Sequence, residues 1–592
     1  MARFVVLRSA LLGSTGSVAA PVRLQQLASL LSLQRRHQNT AASTAANLDR
    51  ILESPFPGET QIPNVSLTEY IWKDVDKWLS KPSVTCGTSG RTYTYGEARA
   101  LSRRFANALL GECGLKRGDV VGLLLPNIPE YLIAIHGAIE AGIIVTFANP
   151  LYTADEVRRQ FVNGSVRCSI TIPQLLPIVT QVAPTIPDYK TTIVIGMDDH
   201  QPDGSLLSFK KLLIDSLPAD IPKAHPDEIA LLPYSSGTTG LPKGVKLSHR
   251  NLVSNLEQIQ HPDVLLHRPT TETTQEVVLT VLPFFHIYGF NGILNPTAVF
   301  GMHLVSIPKF TPEDYLACID KFKPTILFLV PSLLLFLASH PGVTKEHLSS
   351  IEKVVCGAAP ATKNLIDKFK AKVDRDNINI RQGYGMTESS PVTLFAPKHI
   401  PRSKTGSCGQ LVPLTQAKVV DLTTGESLGP HQSGELWVRG PQIMLGYLNN
   451  EEATQETLDS EGWLHTGDVA YYDDDEYFYI VDRTKELIKV KGNQVSPTEL
   501  ESVILQMPAV ADVAVVGIPD LLAGELPRAF VVRRPDFPNV TESDIQQFVE
   551  PKVASYKKLA GGVKFIDIIP RNPAGKILRH ELKVLGEKIP VQ

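Results

Sequence analysis

Between the apolar stretch Ile229-Ala230-Leu231-Leu232 and the polar Ser248 lies the run Tyr234-Ser235-Ser236-Gly237-Thr238-Thr239-Gly240-Leu241-Pro242-Lys243-Gly244. Its serine and threonine hydroxyls, glycines and single lysine make a phosphate-handling loop. Glycines let backbone N–H groups approach phosphate oxygens, hydroxyls add donors, and an ammonium offsets charge on a leaving pyrophosphate. A flexible surface loop is the alternative for any Ser/Gly/Thr-rich segment; the length and order here favour phosphate. The run is not a Walker A loop, because Lys243 is followed by Gly244 and is not preceded by glycine. Ser235, Ser236, Gly237, Thr238, Thr239, Gly240 and Lys243 are the first nucleotide-binding candidates.

Further motifs follow in order: Gly357-Ala358-Ala359-Pro360, Gln382-Gly383-Tyr384-Gly385-Met386-Thr387-Glu388, Gly462-Trp463-Leu464-His465-Thr466-Gly467-Asp468, Val481-Asp482-Arg483, Lys489-Val490-Lys491-Gly492 and Pro573-Ala574-Gly575-Lys576. With the loop, they make the chain from about Thr94 to Arg579 resemble the adenylate-forming superfamily. Its members include acyl-CoA synthetases, plant coumarate:CoA ligases, beetle luciferases and peptide-synthetase adenylation domains. The resemblance implies an ATP-dependent acid:CoA ligase, which activates a carboxylic acid as its acyl-adenylate and transfers the acyl group to the thiol of CoA. ATP, Mg²⁺ and CoA are the implied cofactors and co-substrates.

Attack of a carboxylate on the α-phosphate brings negative groups together, so catalysis must rest on positioning and charge neutralisation. By resemblance, Thr387 hydrogen-bonds the α-phosphate and Glu388 holds Mg²⁺, a hard ion suited to carboxylate and phosphate oxygens. Tyr384, in Gln382-Gly383-Tyr384, offers a ring to adenine. Asp468 can accept from both ribose hydroxyls, and Arg483 adds donors at the same sugar. Lys485 is counted with the nucleotide-binding residues. Lys576 resembles the adenylation lysine, which bridges the attacking oxygen and the nucleotide; read alone it would be a solvated tail lysine.

The acid pocket is expected from Phe285-His286-Ile287-Tyr288-Gly289-Phe290, the helix after Pro331 and the Gly357-Ala358-Ala359 turn. His286 would sit beside the carboxylate, with a satisfied core histidine as the alternative. Tyr288 and Ala358 would line the acyl pocket, with Leu333, Phe336 and Val355 as further apolar candidates. Some plant hydroxycinnamate ligases carry Lys where Val355 stands, and its absence tilts the expectation towards medium- to long-chain fatty acids. An aryl, coumarate-like acid is the runner-up. In the family the small domain swings between half-reactions: one pose inserts Lys576, the other brings in Lys489, Lys491 and Gly492. Lys309 matches a CoA-contacting position. A carrier-loading adenylation domain, a luciferase-like oxygenase and a noncatalytic acyl-nucleotide binding protein are the rivals. No carrier domain follows Gln592, and Thr387, Glu388, Asp468, Arg483 and Lys576 are all present, so the ligase is preferred.

Several elements must position these residues. Thr94-Tyr95-Gly96-Glu97 has capping-box spacing ahead of Leu101, Phe105 and Leu109, which predicts an amphipathic helix. An apolar strand over 120–125, a helix from Pro129 to Gly142 and a strand over 143–147 form a strand–helix–strand unit, hence a parallel sheet. The pattern recurs with a strand over 325–330, a helix after Pro331 and a strand over 353–356. From about Gly406, short strands with Gly and acidic turns suggest a β-rich subdomain. Beyond Arg483 comes a helix over 497–506, a strand over 512–517 and a Lys/Gly-rich tail. The predicted class is α/β: a large N-terminal domain (46–481) of parallel and mixed sheets with helices plus the β-rich part, a hinge (482–485), and a small mobile α+β C-terminal domain (486–592).

At 592 residues, 43% apolar and with a formal net charge of -3, the chain is long enough for several globular units, and nothing in its charge suggests nucleic acid. The expected partners are a small carboxylic acid, ATP and CoA. The six cysteines are scattered with no C-x-x-C pair, which disfavours zinc and a disulfide framework. Residues 1–48 lack Asp, Glu and Lys but carry Arg3, Arg8, Arg23, Arg35 and Arg36 among Leu, Val, Ser and Ala. That is the makeup of a mitochondrial transit peptide (1–45), so a matrix location is expected; a disordered tail is the alternative. The apolar stretches 131–147 and 325–338 are interrupted by His136, Glu140 and Pro331, and read as buried strand and helix rather than membrane spans.

Overall fold

The computed structural model describes residues 50–56, 60–235, 242–375, 378–491, 493–520, 522–572 and 575–588. The expected leader, Ser236, Gly237, Thr238, Thr239 and Gly240 of the phosphate loop, and Gly492 lie outside the described residues.

The capping box read from Thr94 forms as expected. The Thr94 hydroxyl accepts from the Glu97 amide at 3.2 Å, and the Glu97 carboxylate accepts from the Thr94 amide at 2.8 Å, opening the helix Tyr95–Leu110. Thr153 with Glu156 and Ser248 with Asn251 start the helices Ala154–Asn163 and His249–Gln258 in the same way. The stretch 131–147 resolves into the buried helix Glu130–Glu140 and the strand Ile144–Ala148. The stretch 325–338 becomes the strand Ile326–Leu329 and the helix Pro331–Ser339. Among the described residues no helix is long and apolar enough to cross a membrane.

Two large sheets dominate. One has seven strands, parallel except where Leu247–Ser248 returns against Ile229–Leu231. The other has nine, whose central run places Ile326–Leu329, Lys353–Cys356 and Asn379–Gly385 side by side and parallel, with Leu329 level with Cys356 and Cys356 level with Gln382. Because these neighbours run the same way, the loops after Leu329, Cys356 and Gly385 emerge together at their carboxyl ends, where ligands bind in such sheets. A five-stranded antiparallel sheet of Leu52–Glu53, Gln416–Val420, Gly434–Arg439, Leu464–Tyr472 and Phe478–Arg483 forms the expected β-rich part. The main hydrophobic core runs through these elements as far as Phe478, and a second cluster that includes Val120, Leu124, Phe161 and Val166 packs on the seven-stranded sheet.

Separate cores begin at Ile488. There the predicted strand over 512–517 is longer, Val510–Asp520, and pairs along its length with Gly524–Arg533 as a hairpin. The tail read as Lys/Gly-rich contains the strand Val563–Phe565 and the helix Arg579–Glu587. Its short apolar runs are completed by the neighbouring hairpin, which a local reading cannot see. The expected hinge also differs. Asp482 and Arg483 still belong to a strand, paired with Val469 and Asp468.

Candidate active site

Asp468 and Arg483 face each other across the last rungs of that antiparallel ladder, Arg483 Nε lying 3.3 Å from Asp468 Oδ1. The Tyr384 hydroxyl donates to Asp468 Oδ2 at 2.6 Å. Burial raises the Asp468 carboxyl above its ordinary pKa, with the Arg483 guanidinium pulling the other way. Aromatic ring, carboxylate and guanidinium therefore share one wall, as a nucleoside requires. Gln382 secures the next loop: its Oε1 accepts from the Ala361 amide at 2.8 Å, while its buried Nε2 has no partner among the described residues. Gly383 and Gly385 let the chain fold back closely. A Cβ on Gly385 would stand 1.9 Å from the Pro391 carbonyl oxygen.

That return places Thr387 and Glu388 in a buried turn, Thr387–Ser389. One Glu388 oxygen accepts from the Tyr447 hydroxyl at 2.9 Å. Ser235 and Lys243 lie opposite each other at the base of the phosphate hairpin. Among the described residues no group of three or more His, Cys, Asp or Glu side chains is placed to hold a metal. A single buried carboxylate beside a phosphate loop suits Mg²⁺, which keeps few protein ligands and takes the rest from phosphate and water.

Lys576 reaches the same cleft. Its loop is held by Asn572, whose Oδ1 accepts from the Lys576 amide at 2.9 Å and whose backbone bonds both Gly575 and Lys576. Gly575, at φ +79°, seats against the start of the acid-pocket helix; a Cβ there would lie 3.0 Å from Val330 Cγ2. Burial lowers the Lys576 ammonium to about 8, Arg483 pushes it the same way, and Glu486 and Asp468 oppose. The same ammonium, after burial, helps hold His286 down at about 4. His286 is thus neutral near pH 7. Its Nδ1 accepts from the Tyr288 amide at 3.2 Å, which leaves the proton on Nε2, so the ring is a donor and not a base.

The residues expected to line the acid pocket lie near the ends of these strands. The Tyr288 ring meets Phe328 edge-on at 6.4 Å, and Gly357 gives it room: a Cβ there would be 3.5 Å from the ring. Tyr288 Oη is buried with no hydrogen-bond partner among the described residues. Ala358 adopts φ +69°, a left-handed conformation unusual outside glycine, and is exposed to the cleft. Val355 and Cys356 are buried on the neighbouring strand. Phe336, one of the further apolar candidates, packs on Phe310 at 5.4 Å and His340 at 4.9 Å. A nine-residue helix has two apolar faces, and the aromatic pair Phe310 and Tyr315 takes the one carrying Phe336.

The model of the AMP-binding enzyme family matches residues 71–448, and that of the AMP-binding enzyme C-terminal domain matches 499–576. The chain belongs to the AMP-binding enzyme family. The chain is 41% identical over 544 residues to 4-coumarate–CoA ligase 1 of Petroselinum crispum, covering 90% of this chain and 96% of that one. It is 40% identical over 553 residues to 4-coumarate–CoA ligase 1 of Arabidopsis thaliana, covering 91% and 95%. ATP-bound MatB from Rhodopseudomonas palustris superposes with a TM-score of 0.79 at 27% identity, over 89% of this chain and 99% of that one. The expected fold class and family are borne out.

Within this AMP-binding enzyme, one set of sequence candidates comes together and another does not. Thr387, Glu388, Tyr384, Asp468, Arg483, His286 and Lys576 line one cleft. Lys309, Lys485, Lys489 and Lys491 are exposed, Lys489 and Lys491 on or beside the strand Ile488–Val490. The Lys489 amide donates to Glu525 at 2.8 Å. Asp482, at the end of its strand, accepts at Oδ2 from Ser496 Oγ at 2.7 Å and the Thr498 amide at 3.0 Å. Three residues were missed. Tyr447 holds Glu388, Asn572 shapes the lysine loop, and Glu486 stands by Lys576 while accepting from Arg579 Nε at 2.9 Å. Only Tyr447 offered a signal, the Gly446-Tyr447 pair after an apolar run.

Proposed function

We propose that the acid activated is a medium- to long-chain aliphatic monocarboxylic acid. The chain is an AMP-forming acid:CoA ligase that works with ATP, Mg²⁺ and CoA. In the first half-reaction the acid's carboxylate attacks the α-phosphate and pyrophosphate leaves. Thr387 donates to the α-phosphate, Tyr384 lies against adenine, and Asp468 and Arg483 hold the ribose. Glu388 would hold Mg²⁺, which would supply charge neutralisation at the phosphates. Lys576 places its charge where the attacking oxygen and nucleotide meet, and the neutral His286 donates its Nε2 proton to the carboxylate side. In the second half-reaction the CoA thiol displaces AMP, with Lys489, Lys491 and Gly492 brought to the cleft and Lys309 near the diphosphate.

The observation that carries the aliphatic reading is the pocket wall itself. Tyr288, Phe328, Val355 and Cys356 present no charged side chain, and Val355 is 3% exposed. An apolar chain gains ~0.8 kcal/mol per buried methylene, about fourfold in kcat/KM, until it meets the floor. Efficiency should rise from acetate through hexanoate to octanoate, and octanoyl-CoA should predominate when octanoate, cinnamate and coumarate compete at equal concentration. Predominance of coumaroyl-CoA would overturn the assignment.

One observation favours a second reading, an aryl acid: the buried Tyr288 hydroxyl lacks a partner among the described residues, and a ring hydroxyl would provide one. The coumarate ligases named among the relatives agree with it. The same competition separates the two, since a site built to bond a substrate hydroxyl rejects the analogue lacking it, and coumarate would then far outrun cinnamate. For location, the acid-free, Arg-bearing leader supports import into mitochondria.

A further inference from the structure

Residues 444–448 touch the metal side and the phosphate side of the cleft at once. The Met444 amide donates to the Glu388 carbonyl at 2.9 Å. The Lys246 amide donates to the Gly446 carbonyl at 2.9 Å and the Leu448 amide to the Gly244 carbonyl at 2.7 Å, so the segment runs antiparallel to the phosphate hairpin just beyond Lys243. Gly446 sits at φ +126°, and a Cβ on it would lie 2.7 Å from Thr454 Cγ2. The Thr454 hydroxyl accepts from the Tyr447 amide at 2.9 Å. The backbone of Tyr447 is thus fixed before its side chain does anything.

That side chain then joins two groups the reaction needs. The Lys243 ammonium lies over its ring, 4.8 Å from the centroid, and its hydroxyl donates to Glu388 Oε1 at 2.9 Å. Tyr447 is 6% exposed and Glu388 5%. In this bond the phenol is the donor and the carboxylate the acceptor. A donor on one carboxylate oxygen fixes the plane of the group and turns the other oxygen to a hard cation; loss of such outer partners commonly weakens metal binding 10–100-fold.

We propose that Tyr447 is a positioning residue that holds the Glu388 carboxylate and the Lys243 ammonium in one rigid assembly, so that Mg²⁺ and the outer phosphates are received together. The inference rests on the reading of Glu388 as the metal ligand. It is tested with Mn²⁺ as the probe, titrated by electron paramagnetic resonance into the full chain saturated with α,β-methylene-ATP, whose α–β bridge cannot be cleaved to release pyrophosphate. Tyr447→Phe keeps the ring and removes only the oxygen; Tyr447→Leu removes both; Glu388→Gln is run beside them, with a melting curve for each.

Tyr447→Phe should weaken Mn²⁺ binding about tenfold, leave thioester formation from supplied acyl-adenylate unchanged, and melt like the parent. Tyr447→Leu should in addition loosen the nucleotide analogue at saturating Mn²⁺. Native Mn²⁺ affinity in Tyr447→Phe with lost affinity in Glu388→Gln overturns the inference alone. Native affinity in Glu388→Gln overturns the reading of Glu388 and the inference with it. Equal loss of both half-reactions in Tyr447→Phe would show a merely structural tyrosine and also overturn it.

Discussion

Lys576 is the residue whose chemistry depends most on where the fold puts it. An exposed lysine keeps its charge to about pH 10, whereas burial and Arg483 lower this one to about 8. The ammonium is the useful form, so rising pH removes it. For the first half-reaction, kcat/KM, which reports the free enzyme, should therefore fall with a single-proton limb above about pH 8. Bound triphosphate adds negative charge and should carry the corresponding limb of kcat to higher pH. Lys576→Arg should abolish the limb, and Lys576→Ala should lose ~3 kcal/mol or more of transition-state stabilisation, a hundredfold or beyond, while keeping thioester formation from supplied acyl-adenylate. Pyrophosphate release against pH, with and without CoA, checks all of this; equal damage to both half-reactions in Lys576→Ala would refute it.

At the scale of elements, the strand Asn379–Gly385 and its return over Val392–Phe395 are what bring Thr387 and Glu388 to the cleft. Gly385→Ala would drive a Cβ to 1.9 Å from a backbone oxygen that cannot rotate away. The expected cost is about 1–3 kcal/mol of stability, with adenylation lost beyond the unfolded fraction because the turn is displaced. Gly204→Ala is the control: φ is +71° there but nothing lies within 4 Å, so only the conformational cost applies and activity should persist. Denaturant titration with pyrophosphate release decides between them.

The same elements show what sequence could convey. That Thr387, Glu388, Asp468, Arg483 and Lys576 belong together was legible only from the ordered series of motifs and the family it resembles; read alone, Lys576 is a solvated tail lysine and Thr466-Gly467-Asp468 a turn. The Thr94 box was legible because capping is local. Tyr447, Asn572 and Glu486 were not, since each acts through a partner distant in sequence or through a loop shape, and their residue types say nothing of that. Nor does periodicity say which neighbour an apolar face meets: the face carrying Phe336 meets Phe310 and Tyr315, far from it in sequence or on another helix.

For the molecule as a whole, the leader is the part that would decide where the ligase works. Residues 1–48 fused to a soluble reporter should carry it into mitochondria, with removal of the leader between residues 36 and 48; a reporter left in the cytosol would defeat the idea. Elsewhere, two bonds have a consequence in time. Asp482 ties the strand Phe478–Arg483 to Ser496 and Thr498, and Gly575 rests on Val330, in the arrangement that seats Lys576 beside Asp468 and Arg483. The proposed adenylation therefore needs no rearrangement of these residues, whereas the proposed thioester step has first to bring the exposed Lys489 and Lys491 to them, so the order of the two half-reactions is written into the resting posture.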